Sequence, residues 1–154
     1  MLKSYMAEAF EREWEGSAEA LERDGLGREV RTLVAESGRD LIAFACWRRI
    51  YDLHHCALGA EVTDMFVQPK HRGRGLAPSL VAAIAGQIQR EGGRFIKGRA
   101  DAKLERFYRR GAVLSPGSEC YVGNRAFAVL ARLAGAAPHA LARGLPDASL
   151  NHQA

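Results

Sequence analysis

QPKHRGRGLAPSL, residues 68–80, sits between a strand-like apolar run and a helix-like one. Lys70, His71, Arg72 and Arg74 surround Gly73 and Gly75, and the run leads directly into apolar residues at helical spacing. Leu76, Leu80, Ile84 and Ile88 form one ridge of that helix, with Ala77, Val81 and Ala85 beside it, and Gly92-Gly93 supplies a stop. Upstream, EVTDMFV (61–67) reads as a strand that Pro69 ends by removing a ladder donor. A helix N-terminus carries unpaired N–H groups and about half a positive charge. Strand, basic glycine loop and helix start therefore make an anion cradle. Gly73 and Gly75 let a phosphate approach the main chain, and Arg72 and Arg74 can add charge from outside. No Lys-Ser or Lys-Thr follows the second glycine, so this is not a P-loop, and Pro78 stands where a dinucleotide fingerprint needs its third glycine. A diphosphate site of another kind is what is left.

Working outward, residues 28–36 and 41–51 read as strands joined by the turn SGRD. Leu41 to Trp47 is apolar on both alternate sets, as in a strand covered on two faces. DLHHCALG follows as a loop or strand extension. Further strands are predicted at 94–99, 112–115 and 119–123, and helices at 5–15, from Ser17 through Leu21, at 102–110 and at 125–134. Residues 5–15 place Tyr5, Met6, Ala9, Phe10 and Trp14 at helical intervals. The order predicts an α/β fold, a central mixed sheet with helices on both faces, in which a crossover helix joins strand 61–67 to strand 94–99. One domain is expected over 1–134. The Gly-, Ala- and Pro-rich residues 135–154 are expected as an extended or flexible tail.

Composition sets outer bounds. With 154 residues, 47% of them hydrophobic, the chain can bury a real core. A net charge of +4 favours an anionic ligand without deciding its kind, and nucleic acid is not expected as a partner. No apolar run approaches the ~20 residues of a membrane span, and the opening residues do not read as a signal peptide. Cys46, Cys56 and Cys120 give an odd, unclustered count, which argues against a disulfide scaffold or a zinc site and for a cytoplasmic home.

VQPKHRGRGLAPSLV resembles the acyl-CoA pyrophosphate loop of the GNAT superfamily of N-acyltransferases, whose pattern is Gln/Arg-x-x-Gly-x-Gly/Ala. Lys70 stands at the Gln/Arg position, and Gly73 and Gly75 match. A second segment, ADAKLERFYRRGA (100–112), resembles the family's Asn-x-x-Ala-x-x-Phe-Tyr-x-x-x-Gly-Phe: Phe107, Tyr108 and Gly111 match, while Asp101, Leu104 and Ala112 depart. The resemblance covers about residues 28 to 123. It implies a three-layer GNAT-like fold, here with the family's first strand absent, because the chain begins with helical periodicity. It implies acetyl-CoA as co-substrate and no metal. Main-chain amides of Arg72, Gly73, Arg74, Gly75, Leu76 and Ala77 would hold the pyrophosphate. The strand at Met65, Phe66 and Val67 would align the pantetheine arm, and Asp101 and Phe107 would join the cofactor site. A homodimer is expected by the same analogy.

Acyl transfer to an amine poses two proton problems. An alkylamine is mostly protonated at neutral pH and must lose a proton before attack. Glu61 is the candidate base, since similar family members place a Glu there; strict alternation puts it with Thr63, Met65 and Val67, and leaves Asp64, the alternative base, on the other side. The departing thiolate needs stabilisation, and Tyr108 matches the family tyrosine near the sulfur. A phenol pKa near 10 against ~8.5 for a thiol makes full proton transfer uphill by roughly 2 kcal/mol, so a hydrogen bond to developing charge is its expected role. Adjacent His54 and His55 point apart on a strand and do not suit a metal; either could border an acceptor pocket, as could Trp47 and Tyr51. Cys46 reads as packing. The expected reaction is acetyl transfer to a primary amine of a small molecule or peptide. Transfer to a protein or aminoacyl-RNA amine, suggested by Lys103, Arg106, Arg109 and Arg110, is an alternative, as is a non-catalytic acyl-CoA-binding regulatory module.

Overall fold

The computed structural model describes residues 1–99, 112–115 and 119–153, with main chain alone at 113–115. Six strands form its centre: β1 (Arg31–Ser37), β2 (Asp40–Asp52), β3 (Ala57–Val67), β4 (Phe95–Arg99), β5 (Val113–Ser115) and β6 (Glu119–Val122). They join one sheet in the order β1-β2-β3-β4-β6-β5. Among the named strands only β3 and β4 pair in parallel, and α3 (Leu76–Arg90) connects them, as the spacing of strand, loop and helix predicts. The other helices are α1 (Leu2–Phe10), α2 (Ala18–Ala20), which runs into a wide turn at Leu21–Gly25, α4 (Asn124–Arg132) and α5 (Pro138–Gly144). Helices cover both faces. No strand precedes β1 among the described residues.

The main core lies between the sheet and α3. Ala43, Ala45 and Trp47 of β2, Ala60 of β3 and Ile96 of β4 meet Leu80, Ile84 and Ile88 of α3. Small side chains on the two central strands let the helix lie close. Each buried Leu or Ile contributes about 1.5–3 kcal/mol over leaving it exposed. Phe127 and Leu130 of α4 and Leu141 of α5 complete the same cluster. On the opposite face, Tyr5 of α1 packs its ring against Phe44 and Phe66, with centroids 5.4 and 5.7 Å away.

Two segments differ from the sequence expectation, and a third, expected as a loop or strand extension, is both. Helix α1 ends at Phe10 rather than running to residue 15, because Glu11 turns left-handed (φ 53) and Arg12 N–H returns to Met6 C=O at 3.3 Å. The DLHHCALG stretch divides between two strands. Asp52 closes the tight turn by accepting from the N–H groups of His54 and His55 at 2.8 and 3.3 Å. Residues 135–154 are not an extended arm: α5 and a short helical turn at Ala148–His152 fold back, and Leu141 is 1% exposed. Asn151 fastens the end of the chain, accepting from Gly123 N–H at 2.8 Å and donating to Ala148 C=O at 2.9 Å.

Candidate active site

The cradle forms where β3 hands over to α3. Residues Pro69–His71 make one tight helical turn, after which Arg72 N–H donates to Pro69 C=O at 3.2 Å. Gly73 (φ 72) and Gly75 (φ 79) are both left-handed, and Gly75 is the residue immediately before the helix. The N–H groups of residues 73–77 find no acceptor among the described residues. Of residues 72–77, read from the sequence as main-chain donors to a diphosphate, Arg72 has its N–H engaged. A Cβ at Gly73 would meet nothing within 4 Å, whereas one at Gly75 would lie 2.8 Å from the Pro138 carbonyl oxygen. One glycine therefore faces open space, and the other is backed by α5.

Arg72 does not point outward as its sequence position suggests. Its Nε donates to Val67 C=O at 2.9 Å, its guanidinium lies 5.6 Å from the Phe66 ring centre, and it pairs with Glu8 of α1. The cradle loop is thereby tied to the first helix. Arg74 is exposed.

The decisive irregularity lies in β3. Cys46 is opposite Asp64 and Trp47 is opposite Val62, so Thr63 is an extra residue, a β-bulge. Bulges bend a strand and break its pairing. Pairing with β4 runs from Gly59 to Val62 and goes no further among the described residues, so Met65, Phe66 and Val67 are held on the β2 side alone. The bulge also overturns the predicted alternation. Val62, Met65 and Val67 pack toward α3, while Glu61 and Asp64 share the α1 face with Phe66, opposite to Met65 and Val67.

On that face, Glu61 Oε2 accepts from both Arg48 Nε at 2.8 Å and the second guanidinium nitrogen at 2.7 Å. Its Oε1 has no partner among the described residues. Lys97, its neighbour in the β3–β4 register, reaches instead to Glu119 at 3.2 Å. Asp64 Oδ1 accepts from Tyr5 O–H at 2.9 Å. Burial, then that bond to a carboxylate, push the Tyr5 phenol above its ordinary range. Cys46, beside Asp64, is half-buried against Thr32 Oγ1 at 3.4 Å, and burial raises its thiol pKa.

Other candidates are scattered. His54 and His55 lie in the exposed β2–β3 turn, where His55 Nδ1 and Asp52 are 2.9 Å apart. Trp47 is wholly buried in the core, and Tyr51 is exposed toward the far end of β2. Asp101, Phe107 and Tyr108, with the basic helix predicted at 102–110, lie outside the described residues. Sequence reasoning missed Tyr5, Arg48 and Pro138. Only the ring at position 5, at helical spacing with Phe10, hinted at a role for α1, and nothing in the local sequence announced the other two.

The sheet is mixed, its parallel pair parts at a bulge, and a glycine-loop helix start lies just beyond. Residues 1–112 match the model of the Acetyltransferase (GNAT) family, and the chain belongs to that family. A ribosomal-protein-alanine N-acetyltransferase from Brucella melitensis biovar Abortus 2308 superposes with TM-score 0.61 at 20% identity, over 76% of this chain and 83% of that one. An aminoglycoside acetyltransferase from an uncultured soil metagenomic sample, in complex with trehalose, gives 0.60 at 16%, over 69% and 73%. GCN5 of Tetrahymena gives 0.56 at 14%, over 79% and 83%. At these identities the likeness is one of fold. No curated protein matches the sequence.

Proposed function

We propose that the protein is an N-acetyltransferase that moves an acetyl group from acetyl-CoA to a primary amine of a small molecule or peptide by direct attack. The observation that carries this is the run of main-chain N–H groups at residues 73–77, without an acceptor among the described residues, just beyond the point where β3 and β4 part. Those donors, the helix start behind them and the open space at Gly73 suit a diphosphate. The edge of β3 at Met65, Phe66 and Val67, unpaired on the β4 side among the described residues, suits an amide-bearing arm, whose groups would extend the ladder.

Acetyl-CoA supplies an activated thioester; the chain supplies proton acceptance and charge stabilisation. The amine must shed a proton, and Glu61 offers Oε1 to it directly or through water, while Arg48 holds Oε2 and fixes the carboxylate. As the C–N bond forms, the C–S bond breaks and charge develops on sulfur. Tyr108 donates a hydrogen bond there, and Asp101 and Phe107 flank the cofactor, by analogy with the family. Three free thiols fit a reducing compartment, the cytoplasm.

The test is melting temperature with and without acetyl-CoA, followed by free-thiol release with an amine panel. Saturation at 100 times Kd adds about 2.7 kcal/mol, or roughly 5–11 °C for a domain of this size. Absence of any shift refutes the proposal. A shift without thiol release leaves a regulatory acyl-CoA-binding module instead.

A further inference from the structure

Asp64 is a half-buried carboxylate on the α1 face of β3, beside Cys46 and Phe66, and its partner is a neutral phenol. A charge withdrawn from water is ordinarily matched by an opposite charge. Among the described residues, three cations of these elements are committed elsewhere: Arg48 to Glu61, Arg72 to Glu8 and Val67, and Lys97 to Glu119. Oδ1 is held by Tyr5, and Oδ2 has no partner among the described residues. Tyr5 is itself fixed by edge-on packing against Phe10 and Phe44, at 5.5 and 5.4 Å. The carboxylate therefore has a set orientation and one open oxygen, directly after the bulged Thr63 where β3 leaves β4.

We infer that Asp64 receives the ammonium group of the acceptor, that the acceptor is consequently a cationic alkylamine, and that Tyr5 is the positioning residue for Asp64. This rests on the acetyltransferase reading above and deepens it: Glu61 takes the proton, and Asp64 sets which amines are held. Weakly basic amines, uncharged at neutral pH, gain nothing from it.

The experiment compares kcat and KM for cationic amines (butylamine, spermidine, a lysine ester) and for aniline, neutral under the assay, in wild type, Asp64→Asn and Tyr5→Phe. Acetyl-CoA thermal shifts are recorded for all three proteins. Loss of a charged hydrogen bond predicts that Asp64→Asn raises KM for the cationic amines about 10- to 100-fold, lowering their kcat/KM relative to that for aniline by a similar factor. Tyr5→Phe moves the same KM in the same direction by a smaller factor. An undiminished acetyl-CoA shift in both variants establishes that the fold and cofactor site are intact. The inference is overturned if Asp64→Asn leaves KM for the cationic amines within twofold, if aniline and alkylamine rates fall together, or if wild type binds acetyl-CoA yet acetylates no cationic amine. Failure of wild type to bind acetyl-CoA is a different result, and removes the acetyltransferase reading beneath it.

Discussion

Alanine at Gly73 and at Gly75 tests whether the loop after β3 is built to receive a ligand. Both glycines are left-handed, so each new Cβ costs about 1–2 kcal/mol of backbone strain. Their surroundings differ. At Gly73 the added carbon meets nothing within 4 Å, and strain is the whole cost. At Gly75 it lies 2.8 Å from the Pro138 carbonyl oxygen and 3.0 Å from the Pro138 Cβ, atoms of main chain and ring that cannot rotate aside. Displacing α5 adds a further ~1–3 kcal/mol. At about 2–4 °C of Tm per kcal/mol, Gly73→Ala melts roughly 2–8 °C lower and Gly75→Ala roughly 4–20 °C lower. Acetyl-CoA titration by calorimetry then separates stability from binding. Gly73→Ala, the milder change to the fold, is expected to lose at least about tenfold in affinity, since its methyl occupies the space the ligand needs. Gly73→Ala binding acetyl-CoA as tightly as wild type would refute a main-chain cradle. Equal Tm losses for the two variants would refute the buttress at Pro138.

Leu141→Ala removes a fully buried side chain of α5 and is expected to cost about 2–5 kcal/mol in urea unfolding; a loss under ~1 kcal/mol would mean the C-terminal segment is not docked. Glu61→Gln is expected to lower kcat by roughly 100- to 10,000-fold at neutral pH, with the deficit shrinking as alkaline pH supplies free amine, and an unchanged pH profile excludes Glu61 as base. Burial pushes the Cys120 thiol from its ordinary 9.0 up to about 11, so the folded protein keeps it protonated where the unfolded chain would ionise it. The stability this provides is complete below pH 9 and is lost as pH rises through 11. A thiol reagent at mildly alkaline pH is accordingly expected to modify exposed Cys56 first and Cys120 only on unfolding; simultaneous reaction would contradict the burial.

Local chemistry carried much of the architecture. The ridge from Leu76 to Ile88, the glycines before it and Pro69 announced a strand, a loop and a helix, because each depends on its own residues and immediate neighbours. Strict alternation puts Glu61 on the wrong side for the opposite reason. Whether Thr63 pairs or bulges is settled by the register of β2, and no feature of EVTDMFV records that register. Arg72 reads as a loop cation, yet Val67 and Glu8, one of them 64 residues away, decide where it lies. The tail misled because α5 has only seven residues, too few for periodicity to show, and its order comes from Leu141 entering a core built by distant strands. The segment holding Tyr108 stays with the family resemblance alone.

The bulge at Thr63 has a consequence for how the chain tolerates change. Because Cys46 faces Asp64 and Trp47 faces Val62, excising Thr63 would leave every neighbouring side chain on the face it now occupies. What would vanish is the bend that turns β3 from its parallel neighbour. A spare unit in the strand thus separates foldability from divergence: the sheet can be written without it, and the turning of β3 away from β4 cannot.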